Sequence, residues 1–249
     1  MSTNKPYCLI LGAEGDIGKA VAYRFAKAGF NLYLTSRNRD YINADENHKH
    51  WETDYQIHVS RHFFEALDFK SHELFYRNLP NTPEVVIGVL GYLGNQKRAQ
   101  MDFGEAQKII NTNYTALVSI LHIAANDMEK RFTGCIIGIS SVAGERGRRS
   151  NYIYGSAKGA FTIFLSGLRS RLADKNVHVL TVKPGYIRTK MTGHMKLPKL
   201  LTSDPDHLAT SIYAAMIRRK NVLYHLPLWQ LIMFAVRAFP EFIFKRINF

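Results

Sequence analysis

Short apolar runs alternate with amphipathic stretches along most of the chain. Residues 6–11 (PYCLIL) are apolar and of strand length, and a continuous apolar run suits a strand buried on both faces. An amphipathic run at 17–28 follows and stops at Gly29, a helix with a glycine just past its end. Further strands are predicted at 31–35 (NLYLT), 63–67 (FFEAL), 85–90 (VVIGVL) and 177–182 (VHVLTV), and long helices at about 105–130 and 152–173. Strands alternating with helices predict an α/β fold: one doubly wound parallel sheet with helices on both faces. At 249 residues, 46% of them hydrophobic, the chain suits one domain, 1–249, with an ample core. It has no internal repeat, low-complexity segment or linker.

The pattern breaks near the C-terminus. LWQLIMFAVRAF (228–239) is apolar nearly all round, and Pro240 and EFIFKRINF follow. An exposed helix would not tolerate that composition. Arg237 and Pro240 interrupt it, and it is too short to span a bilayer. The tail, 227–249, is therefore expected to close over its own domain, to pack between copies of the chain, or to lie in a membrane surface. In the last case Trp229 and the phenylalanines would insert, with Arg237, Lys245 and Arg246 at the headgroups. Packing against protein is the commoner use of such a segment.

The first turn, GAEGDIG (12–18), lies between a strand and a helix, the setting a dinucleotide-binding turn requires. Gly12 permits the tight turn, Gly18 lets helix and strand approach, and the free N–H groups around Gly15 and Ile17 would face a pyrophosphate. Asp16 should repel that group unless it points to solvent. The second strand ends in Ser36 and Arg37. An NAD-selective site has an acid near this point, whereas an arginine accommodates a 2′-phosphate. NADP(H) is thus expected over NAD(H); Glu14 weakens that expectation slightly.

The stretch 139–158 reads ISSVAGERGRRSNYIYGSAK, with Ser141 thirteen residues before Tyr154 and Lys158 four after it. Positions four apart share one helix face. A free phenol has a pKa of about 10, and a fixed ammonium beside it is expected to lower that value toward working pH. Together with the glycine turn, this constellation resembles the short-chain dehydrogenase/reductase family and its Rossmann fold. The resemblance implies carbonyl reduction, with Tyr154 as proton donor, Ser141 polarising the oxygen, and Lys158 also binding the nicotinamide ribose. It implies that Asn113 holds a water linked to Lys158, that Asp68 contacts the adenine, and that Gly91 packs against the cofactor. It implies too that the PG turn at Pro184 and Gly185, the backbone of Ile187 and the hydroxyl of Thr189 meet the nicotinamide carboxamide. A homodimer or homotetramer paired through the two long helices is implied as well. The acid in the glycine turn, GVLG at 88–91 and the Pro-interrupted tail further resemble decaprenylphosphoryl 2-keto-ribose reductases, implying a lipid-linked keto-sugar at the inner membrane face. A sugar epimerase and an NADP(H)-sensing regulatory protein stay open as alternatives.

Composition adds three points. The net charge is +13, which favours anionic partners. Arg146, Arg148, Arg149, Arg188, Lys190, Lys196 and Lys199 flank the substrate side, so a phosphorylated or otherwise anionic substrate is expected about as much as plain solvated charge. No nucleic-acid motif accompanies the charge, and no nucleic-acid partner is expected. Cys8 and Cys135 read as core residues of a cytoplasmic protein without a secretory leader. The ten histidines lack zinc spacing. No metal is expected, and His48, His50, His58 and His62 are assigned to the surface.

Overall fold

The computed structural model describes residues 5–44, 48–193 and 197–246. Strand β1 (Tyr7–Leu11) runs into helix α1 (Asp16–Ala26), β2 (Asn31–Ser36), the short helices α2 (Arg39–Asn43) and α3 (Lys49–Tyr55), and β3 (Val59–Phe63). Helix α4 (His72–Arg77), β4 (Val85–Gly88), α5 (Gln96–Met101) and α6 (Phe103–Ile110) follow. A π-turn at Asn111–Thr115 joins α6 to α7 (Ala116–Arg131), which leads to β5 (Gly134–Ile139), α8 (Tyr152–Arg171) and β6 (Val177–Pro184). The chain ends with the two-residue strands β7 (Tyr186–Ile187) and β8 (Thr202–Ser203), α9 (Pro205–Ile217), β9 (Val222–His225), α10 (Leu228–Ala238) and α11 (Glu241–Phe244).

Seven strands form one parallel sheet in the order β3-β2-β1-β4-β5-β6-β9. Alternation along each strand builds two cores. Cys8 and Ile10 face Val21, Phe25, Leu208 and Ile212 of α1 and α9. Leu9 and Leu11 face Leu117, Leu121, Phe161 and Leu165 of α7 and α8. Helices thus cover both faces, as an all-parallel sheet demands. The strand order reverses between β1 and β4, and a crevice opens beyond the carboxyl ends of strands at such a point.

The third strand departs from expectation. It lies at Val59–Phe63 rather than 63–67. It pairs with β2 alone, at the sheet edge, and its residues are only partly buried or exposed. An edge strand can carry polar residues, so Ser60, Arg61 and His62 belong to it, while the apolar run beyond it does not. His48 also departs: it is buried against Trp51, with ring centroids 4.3 Å apart, and Arg61 Nη2 lies 2.7 Å from its Nδ1. Cys8 and Cys135 are buried and free. Among the described residues no three metal-binding side chains cluster, and no helix is long and apolar enough to cross a membrane.

Candidate active site

A cavity of about 480 Å³ opens at the switch between β1 and β4. Gly12, Gly15, Ile17 and Gly18 line it, with Ser36 and Arg37 at one end and Gly91 and Thr189 toward the other. The turn needs its glycines. Gly12 has φ +89°, a left-handed value. A Cβ on Gly18 would lie 2.3 Å from the Gly12 carbonyl oxygen, so α1 could not start so close to β1. The first N–H groups of α1 therefore open onto the cavity with no side-chain cap, an anion-binding arrangement. Asp16 does not crowd this end freely. Its Oδ2 accepts a 2.6 Å hydrogen bond from the Lys190 backbone N–H and ties the glycine turn to the loop after Ile187. A cavity with a glycine floor, a helix N-terminus and two rims joined by a hydrogen bond fits an extended dinucleotide.

The catalytic candidates meet beyond Gly91. A Cβ at Gly91 would lie 3.5 Å from Asn113 Oδ1 and 4.0 Å from Lys158 Nζ. Asn113 sits in the π-turn and is fully buried; such bulges recur at functional sites. Its Nδ2 donates to the carbonyls of Tyr92 (2.6 Å) and Ile109 (2.8 Å), and its Oδ1 accepts from the Tyr92 N–H (3.2 Å). The side chain thus fixes the loop after β4. Asn111, two residues earlier, instead accepts from Thr115 Oγ1.

Tyr154 and Lys158 lie one turn apart on α8, and Ser141 sits where β5 ends. Lys158 is 3% exposed, and its Nζ donates to the Ile139 carbonyl at 2.9 Å. Burial pulls its pKa down to about 7. The Tyr154 phenol is pushed up to about 12 by burial, and a hydrogen bond from the Ser141 hydroxyl pulls the other way. This corrects the expected electrostatics. The phenol rises rather than falls, because desolvation disfavours both the phenolate and the ammonium that would stabilise it. Ser140 fixes the frame: its hydroxyl donates to the Lys158 carbonyl at 2.9 Å.

The tail lies against its own domain. Trp229 and Met233 of α10 are buried with Val142, and Tyr186 packs on the cluster they form. Trp229 Nε1 donates to the Leu201 carbonyl at 3.1 Å, and its ring meets Tyr186 edge-on at 5.3 Å. Gly185 lets the indole in, since a Cβ there would be 1.9 Å from Nε1. The face turned outward keeps Leu228, Leu231 and Phe234 exposed.

This packing redirects the expected cations. Arg146 donates to the carbonyls of Val236 and Phe239, pairs with Glu241 at 2.8 Å and stacks 3.8 Å over Phe244. Arg148 Nη2 reaches Met233 Sδ at 3.6 Å, and Arg149 donates to the Lys245 carbonyl. Arg188 forks onto Asp204 at 2.6 and 2.8 Å. Arg146, Arg148 and Arg149 thus hold the tail, while Arg188, paired with Asp204, also lines a second cavity beside Thr189. Lys190 lines the cavity and Lys199 is exposed beside it on the second cavity, and Lys196 lies outside the described residues.

Of the residues expected to bind cofactor, Asp68, Tyr154, Lys158, Pro184, Gly185 and Ile187 stand outside the cavity lining, Asp68 being exposed in the turn before α4. Because β3 ends four residues earlier than expected, Phe64, Glu65, Ala66 and Leu67 line the cavity instead. Pro184, Gly185 and Ile187 lie at the end of β6 and in β7, just before the Thr189 rim. Sequence reasoning missed Glu65, Tyr92, Lys108 and Thr112 on the lining. The Glu65 position could have been found only by placing the edge strand correctly.

Three comparisons bear on this geometry. A family model described as short chain dehydrogenase matches residues 7–199. An uncharacterized oxidoreductase of Mycobacterium tuberculosis is 34% identical over 244 residues, covering 96% of each chain. The NADP-dependent 3-hydroxy acid dehydrogenase of Schizosaccharomyces pombe is 28% identical over 232 residues, covering 86% of this chain and 88% of its own. Among solved structures, a short-chain dehydrogenase from Sphingobium yanoikuyae in complex with NADPH superposes with a TM-score of 0.81 at 23% identity, covering 98% and 96% of the two chains.

Proposed function

Because the chain belongs to the short-chain dehydrogenase/reductase family and is an oxidoreductase of it, we propose that it reduces a ketone to an alcohol with NADPH, Tyr154 acting as the general acid. The observation that carries this reading is that the buried Lys158, its Nζ held on the Ile139 carbonyl at 2.9 Å, lies one helical turn from Tyr154 and beside Gly91, which lines the glycine-floored cavity. When bound, the reduced nicotinamide supplies the hydride to the carbonyl carbon. Tyr154 gives its phenolic proton to the carbonyl oxygen, and the Ser141 hydroxyl orients that oxygen. Lys158 would hold the ribose side, and its ammonium would stabilise the phenolate left when Tyr154 gives up its proton. Asn113 keeps the loop after β4 in register with Lys158. Gly12, Gly15, Ile17 and Gly18 would hold the pyrophosphate. Pro184, Gly185, Ile187 and Thr189 would hold the carboxamide.

NADPH over NADH is supported by Ser36 in place of an acid at the end of β2, by Arg37 on the same rim, and by the NADP(H) of the relative and structure named above. For the substrate, the engagement of Arg146, Arg148 and Arg149 with the tail argues for a ketone bearing an apolar group rather than for a phosphorylated one. The apolar patch of Val142, Tyr186 and Trp229 borders Ser141. Pairing of copies through α7 and α8 is the expected assembly, and Ile163, 73% exposed on α8, would be its apolar contact.

Tyr154→Phe tests the mechanism. Turnover should fall by roughly 10²–10⁴-fold or more, with the dissociation constant for NADPH held within about twofold. Near-wild-type turnover in that variant would remove the role assigned to the phenol.

A further inference from the structure

Glu14 lines the cavity at its Ser36 and Arg37 end, away from Gly91. Its backbone belongs to the glycine turn, but its carboxylate reaches the end of β2. Oε2 accepts a 2.6 Å hydrogen bond from Ser36 Oγ, and Oε1 accepts a 2.9 Å hydrogen bond from Asn38 Nδ2. Ser36 Oγ in turn accepts from the Asn38 N–H at 3.0 Å. The single hydroxyl proton of Ser36 is therefore committed to Glu14. Glu14, Ser36 and Arg37 all line the cavity. Lys19 and Lys190 lie near enough to favour the ionised carboxylate, although the Ser36 hydrogen bond does more.

We infer that Glu14 is an internal anion seated on the donors that a ribose 2′-phosphate would use, and that it limits discrimination between NADPH and NADH. This rests on the dinucleotide reading above and sharpens it. A phosphate offers only acceptors to this rim, so it must displace the carboxylate to take the protons of Ser36 and Asn38, and it leaves two anions close together. A ribose 2′-hydroxyl is a donor as well as an acceptor and can give its proton to Glu14 where the carboxylate already lies. The same side chain therefore disfavours one dinucleotide and accommodates the other. Arg37 works in the opposite direction, as a cation on the same rim.

The test is direct binding to the full-length chain, read by calorimetry or by the fluorescence of the reduced dinucleotide. Glu14→Gln keeps the size of the side chain and removes its charge; Glu14→Ser removes the reach as well. Both variants should tighten NADPH by about tenfold or more and leave NADH unchanged or weaker. Arg37→Ala should weaken NADPH by a similar factor with little effect on NADH. A ratio of the two dissociation constants that stays within twofold of wild type in both Glu14 variants would overturn the inference while leaving the dinucleotide site standing. If the wild-type chain binds neither dinucleotide, the site reading itself falls, and the inference with it.

Discussion

Lys158 and Tyr154 are each held in the form that costs least to bury. Burial pulls the lysine down to about 7 and pushes the phenol up to about 12, so it works against charge on both. This has a consequence for stability. The Lys158 pKa is depressed in the folded state, so between about pH 7 and its unfolded value of about 10.4 the unfolded chain binds more protons than the folded one. Stability from this group therefore rises with pH across that window and is lowest below it. Lys158→Met in the dinucleotide-free protein should gain most in melting temperature over wild type at or below pH 7, with the gain shrinking toward pH 10. A gain independent of pH would mean that the lysine is not buried as described. The placement of Ser141, Tyr154 and Lys158 was legible in the sequence because one helical turn and one strand end fix their spacing. The raised phenol pKa was not, because desolvation depends on what covers the ring.

At the scale of elements, helix α10 and the segment between Ser141 and Tyr154 form one unit. Trp229 is 3% exposed and lies on Gly185. Arg146 caps the last carbonyls of α10 from the other side. Beside it, Glu145 is buried and meets Lys183 at 2.8 Å, Arg237 at 3.3 Å and the Tyr224 hydroxyl. Hydrogen bonds to charged groups are each worth about 1.5–3 kcal/mol. Arg146→Ala should therefore cost about 2–3 kcal/mol and open the tail to limited proteolysis within 228–246. A tail as resistant as wild type would show that Arg146 does not hold it. Gly185→Ala should dislodge Trp229 and alter substrate KM more than dinucleotide affinity, measured by steady-state kinetics beside direct binding. Of the three uses of the tail foreseen from sequence, closure over its own domain is the one its buried face fulfils. Composition alone could not choose, because the helix is apolar on both faces. Its partner cations, ninety residues upstream, look like ordinary surface charge in the sequence. The edge strand β3 was misplaced for a related reason: apolar runs mark central strands, and β3 is paired on one side only.

Over the whole molecule, the sheet order and its two helical layers follow from the alternation of apolar runs and amphipathic stretches, which is why the fold was readable in outline. The net charge of +13 was less informative. Near the site, Arg146 is engaged with Glu241 and a tail carbonyl, so part of the charge counted along the chain is not free to meet a ligand. If α7 and α8 pair two copies, Ile163→Glu should shift the mass seen by light scattering toward the monomer, and an unchanged mass would exclude that face. The activity proposed for the whole molecule is net hydride transfer to a ketone. The most direct measurement supplies NADPH deuterated at the transferable position with a panel of apolar and sugar ketones, then examines the alcohol by mass spectrometry. One deuterium on the carbinol carbon for each NADPH consumed is the expected result. Conversion of a sugar without net consumption of NADPH, or firm binding of NADPH with no transfer to any ketone, would contradict it.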